Sequence, residues 1–111
     1  MSPTEQMHLA LCALPGVKQA GSRLGQPGRP AWCVNGREFA HLHADDLLDL
    51  RLPREVQARL KSDPLAHFRP ARSEWLEFEF HNEAEVQHVV ALAREAWAAV
   101  AKSSKTTKAK P

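Results

Sequence analysis

His41 and His43 stand two residues apart in the run Glu38-Phe39-Ala40-His41-Leu42-His43, and Ala44-Asp45-Asp46 separates them from Leu47-Leu48-Asp49-Leu50-Arg51. Alternate side chains of an extended strand share a face, so the two histidines point one way and Ala40 and Leu42 the other. If the second run folds back antiparallel, His43 faces Leu47, His41 faces Asp49 and Phe39 faces Arg51. A carboxylate opposite an imidazole orients the ring for general-base work, and a nearby guanidinium can hold a developing oxyanion. His41, Asp49 and Arg51 are therefore the candidate catalytic residues.

The elements that must position them are two linked hairpins. Ala31-Trp32-Cys33-Val34 is followed by Asn35-Gly36, the preferred two-residue hairpin turn. That turn sets Val34 against Arg37, Trp32 against Phe39 and Ala31 against Ala40. One face then collects Ala31, Cys33, Ala40, Leu42, Leu48 and Leu50, an aliphatic surface suited to packing under helices. The opposite face collects Trp32, Val34, Arg37, Phe39, His41, His43, Leu47, Asp49 and Arg51, an aromatic floor with convergent ionisable groups, as in a ligand pocket.

Helices and one further strand complete the chain. Ser2, Pro3 and Glu5 form a helix start signal, Met7, Ala10, Leu11 and Leu14 an apolar stripe, and Pro15-Gly16 a stop. A short strand is expected near Val17, then a Gly- and Pro-rich connection containing Gly25, which lacks the spacing of a phosphate loop. Pro53 opens a second helix carrying Val56 and Leu60, and Asp63-Pro64 ends it. The chain then crosses through His67, and Arg69, Arg72 and Glu74 lead into a last strand. That strand alternates Leu76, Phe78 and Phe80 with Trp75, Glu77 and Glu79. Asn82 caps the last helix, whose buried stripe is Val86, Val89, Val90, Ala93, Trp97 and Val100. His8, His81 and His88 fall away from the apolar stripes and read as solvated or local structure. The order predicts a single α+β domain over residues 1–100, an antiparallel sheet with helices packed mainly on one face, followed by a flexible Lys-rich tail over 101–111.

Charge narrows the partners. Lys102, Lys105, Lys108 and Lys110 account for four of the 15 Lys and Arg, and the remaining 11 face 13 Asp and Glu, so the body carries about −2. Such a body is a poor nucleic-acid binder. The N-terminus lacks the basic start and apolar core of a signal peptide, and Arg94 and Glu95 interrupt the apolar C-terminal segment; a cytoplasmic protein with no membrane partner is expected. Cys12 and Cys33 read as two reduced thiols inside the fold.

Arg37-Glu38-Phe39-Ala40-His41-Leu42-His43, Leu47 to Leu52, His67 and the helix opening Glu83-Ala84-Glu85-Val86 resemble the luciferase-domain family, which includes small microbial proteins and, distantly, fungal luciferases. The resemblance spans roughly residues 15–100. It implies a small α+β domain with a ligand-facing pair at His41 and His43 and His67 as a third member; it does not carry light emission with it. Where that family often places another histidine after the turn, this chain has Asp49. A second resemblance, through Leu14-Pro15-Gly16-Val17, Gly28-Arg29-Pro30-Ala31-Trp32 and Arg37-Glu38-Phe39-Ala40, is to the MmcQ/YjbR family and implies a DNA-binding or protein-interaction module without catalysis.

Three readings of the histidine face follow. As a binding site, Trp32, Phe39, His41, His43, Asp49, Arg51, His67 and Trp75 hold a small aromatic or enol-like ligand, and this reading leads. As an enzyme, His41 is the base and Arg51 the oxyanion partner, yet no nucleophile or cofactor motif accompanies them. As a metal site, His41 and His43 lie about 6.6 Å apart by strand rise, and Asp49, His67 or Glu77 must complete the set. A catalytic zinc uses three protein ligands and the spacing fixes no third, so neither metal nor cofactor is assigned.

Overall fold

Asn35 and Gly36 both take positive φ, 53° and 79°, the conformation a tight two-residue hairpin turn requires. They close β2 (Pro30–Val34) onto β3 (Arg37–Ala44), and β3 turns through Asp45-Asp46 into β4 (Leu47–Arg51). The computed structural model describes residues 1–23, 27–68 and 73–108, with side chains as far as Ser103; Gly25, Arg69 and Arg72 lie outside the described residues. With β1 (Val17–Gly21), β5 (Ala66–His67) and β6 (Trp75–Glu79), the strands form one antiparallel sheet in the order β1-β2-β3-β4-β6-β5. The fold is α+β.

Two helices cover one face. α1 (Pro3–Cys12) begins with a complete capping box: the Ser2 hydroxyl accepts from the Glu5 N–H at 3.1 Å, and the Glu5 carboxylate accepts from the Ser2 N–H at 2.9 Å. Those bonds to the Ser2 backbone and hydroxyl hold the Glu5 carboxyl below its ordinary value. α3 (Glu83–Lys108) is capped by Asn82, whose side-chain oxygen accepts from the Glu85 N–H at 2.9 Å. Its Val86, Val89, Val90, Ala93 and Val100 meet Met7 and Leu11 of α1 and the sheet residues Leu42, Leu48, Leu50, Leu76 and Phe78 in one core. Trp97 is a packing residue, its Nε1 donating to the Pro15 carbonyl at 2.9 Å. The Lys-rich segment continues α3 as far as Lys108. α2 (Arg54–Arg59) buries none of its residues fully and leans Val56 on the core. Among the described residues no helix is long and apolar enough to cross a membrane.

The register corrects the expected faces. Val34 pairs with Arg37 as predicted, but Cys33 pairs with Glu38 and Trp32 with Ala40, so Phe39 is an extra residue, a β-bulge. The bulge reverses the parity of everything before it. Trp32 and Val34 join Ala40 on the helix-covered face with Phe39, and Trp32 and Phe39 are wholly buried in the core. Neither forms part of an aromatic floor on the open face. Ala31 and Cys33 make the opposite exchange. Burying each aromatic is worth roughly 1.5–3 kcal/mol, which exceeds the roughly 0.5–1.5 kcal/mol of a ladder hydrogen bond that a bulge forgoes; the bulge is the favoured solution. A second bulge at His43 pairs Ala44, rather than His43, with Leu47. Cys12, expected inside, is exposed, while Cys33 is half-buried and both thiols are free.

Candidate functional site

The open face carries a row of paired residues. Ala31 stands opposite His41, His41 opposite Asp49, Asp49 opposite Glu77 and Glu77 opposite His67, so five strands present side chains along one line. The predicted pairing of His41 with Asp49 is present because the turn is one residue shorter than expected and the bulge at His43 restores the count.

His41 is held at both ring nitrogens. Nε2 lies 2.9 Å from Asp49 Oδ2 and Nδ1 lies 3.0 Å from Glu38 Oε2, with all three side chains buried. Glu38 also accepts from the Arg23 backbone N–H at 2.7 Å. Ionised carboxylates offer no proton, so both contacts are hydrogen bonds only if the triad carries one proton beyond a neutral imidazole and two carboxylates. Its net charge is then −1. Trp75 roofs the ring at 4.4 Å between centroids, tilted by 40°. With neither nitrogen directed to solvent, His41 links Glu38 to Asp49 and offers no lone pair to a ligand in this arrangement.

The remaining predicted residues flank this triad. Arg51 pairs with Glu74 at 3.0 Å and lies 5.7 Å from the Trp75 ring, so its guanidinium is braced between a carboxylate and an aromatic face. His43 keeps 38% of its side-chain surface and places Nδ1 4.0 Å from Asp49 Oδ2. His67 is half exposed and its Nε2 lies 3.1 Å from Glu79 Oε2, off to the side of the triad. His41, His43, Asp49, Arg51, His67 and Trp75 therefore share the open face, and Trp32 and Phe39 do not.

Beside the triad lies a cleft of about 350 Å³ lined by Arg23, Cys33, Glu38 and Arg51, and by Arg37, whose Nη1 also donates to Ser103 Oγ of α3 at 3.5 Å. Burial first, and then the Glu38 carboxylate, push the Cys33 thiol above its ordinary range, so it stays protonated and is a weak nucleophile. Sequence reasoning passed over Glu38. Three residues before His41 it belongs to the other face of a regular strand, and only the bulge at Phe39 brings the two together. The available signal was the conflict that strict alternation created, two large aromatics on the more polar face.

The family model for the luciferase domain matches residues 36–96, a span from the Asn-Gly turn through most of α3. The chain belongs to the luciferase-domain family. Glu38, His41, His43, Asp49, Arg51, His67, Trp75 and Glu77 all fall inside the matched span, whereas α1, β1 and β2 precede it. No curated protein and no solved structure matches this luciferase domain.

Proposed function

We propose that this luciferase domain binds a small planar anion of the enol or aromatic-acid type in the open-face cleft. The carrying observation is that three arginines, Arg23, Arg37 and Arg51, wall one small cavity whose lining includes Glu38, the near end of a buried Glu38–His41–Asp49 chain. Guanidinium groups recognise planar oxyanions through paired N–H donors. Trp75, already packed against Arg51, offers an aromatic edge to a flat ligand. The reading stops at binding: the Cys33 thiol in the cleft is held protonated, and His41 has both nitrogens engaged.

4-Hydroxycoumarin, an enol ionised at neutral pH, serves as the probe in isothermal titration calorimetry. A charge-assisted hydrogen bond contributes about 1.5–3 kcal/mol, so Arg51→Gln weakens binding at least about tenfold, and Arg37→Gln with Arg51→Gln weakens it further. Equal affinity in wild type and the double variant rejects the reading. A steep loss of DNA retention with salt, with no coumarin binding, would instead support the nucleic-acid module; Glu77 and Glu79 on the same face oppose phosphate.

A further inference from the structure

A second cluster sits on the open face at the far end of the triad. Asp49 and Glu77 are direct partners across β4 and β6, and His43 lies against Asp49 because the β3 bulge carries it there. One ligand atom from each of His43, Asp49 and Glu77 lies within 4.8 Å of the others. Donors bound to one cation at about 2.0–2.2 Å stand somewhat closer together than that. The remaining approach is small, and it falls to His43 and Glu77, which are only partly buried.

The anchor of the cluster is fixed. Asp49 is buried, and its Oδ2 is held by His41 Nε2, itself oriented by Glu38 through Nδ1. This is the outer support that metal-ligating side chains require, a hydrogen-bonded partner that sets the direction of the ligand. Two carboxylates directly opposite on adjacent strands repel, and a cation between them converts that repulsion into attraction. One imidazole nitrogen with two carboxylate oxygens is a donor set for borderline divalent ions of the zinc class; the imidazole disfavours calcium and magnesium, and no thiolate is present to select copper(I).

We propose that His43, Asp49 and Glu77 form a binding site for a divalent transition cation of the zinc class, three protein donors on one side and open coordination positions toward solvent. The site shares its Asp49 ligand with the triad, whose other end lines the arginine cleft, yet it stands independently of what that cleft binds.

The full chain, stripped with EDTA and dialysed, is titrated with Co(II) and Zn(II). Wild type takes up one equivalent of Co(II) with visible ligand-field absorbance, and Zn(II) raises its Tm, because a ion bound only by the folded state stabilises it. Glu77→Gln and His43→Ala each weaken uptake at least tenfold and shrink the Tm shift, whereas His81→Ala, away from the cluster, changes neither. Arg37→Gln with Arg51→Gln retains full metal uptake even if coumarin binding is lost, which separates the two sites. The proposal is overturned if wild type shows no stoichiometric uptake, or if uptake is equal in wild type, Glu77→Gln and His43→Ala. Should either variant fail to fold by circular dichroism, the other carries the comparison.

Discussion

His41 and His81 have the same connectivity and opposite settings. Each is bracketed by two carboxylates, His41 by Glu38 and Asp49, His81 by Glu85 at 3.2 Å and Asp46 at 3.3 Å. His41 keeps 4% of its side-chain surface and His81 keeps 50%. In water the His81 contacts replace hydration of nearly equal strength, so a surface ion pair contributes little. Around His41 the same contacts, together with the Arg23 N–H on Glu38, compensate the desolvation of two buried carboxylates. Contact geometry alone therefore does not rank the two; the surrounding medium does.

The largest effect is expected from His41→Ala, which removes the imidazole that Glu38 and Asp49 share in the interior. Loss of one partner from a buried charge network costs about 3–5 kcal/mol, whereas His81→Ala should stay within about 1 kcal/mol. Urea unfolding of the two variants measures both, and equal losses would break the comparison.

A smaller contrast is expected between the thiols. Cys12 is exposed and Cys33 is half-buried beside Glu38, with its thiol pushed up from the ordinary 9.0. Since the thiolate is the reactive form, iodoacetamide should label Cys12 faster than Cys33 at pH 8, by about tenfold; peptide mass spectrometry after timed quenching would show otherwise if Cys33 led. A raised thiol value stabilises the fold below pH 9.0, and that contribution is lost as pH climbs through the higher folded value.

The smallest effect belongs to Glu5, whose carboxylate closes the α1 capping box at the surface. Its value is lowered from the ordinary 4.5, so the cap contributes in full above pH 4.5 and fades as pH falls through the lower folded value. Glu5→Gln should flatten that part of the acid limb of a thermal-stability profile and leave the neutral region nearly unchanged. A profile identical to wild type would show that the capping charge is inert.

Much of this was readable from residues. Ser2 with Glu5, Asn82 with Glu85 and Asn35-Gly36 are local signals, each satisfied by backbone groups within a few residues, and each formed the predicted cap or turn. The pairing of His41 with Asp49 was readable too, although by two compensating features, a shorter turn and the bulge at His43. The placement of Trp32, Phe39 and Glu38 was not. A bulge is chosen by competition between burying two aromatics and keeping a ladder regular, and that competition is settled by the core that α1 and α3 build, far from β3 in sequence. Glu77 entered the row for the same kind of reason, since β4 and β6 meet only after α2 and β5 intervene.

The bulge at Phe39 also bears on how such a chain can diverge. Substitution between Gly36 and His41 that keeps a large apolar side chain at Phe39 alters one side chain and preserves the register. Loss or gain of a single residue there would exchange inside for outside along half of β2 and β3, sending Trp32 to solvent and Cys33 into the interior. The length of that segment, with Phe39 buried at its bulge, is what lets Glu38 and His41 meet.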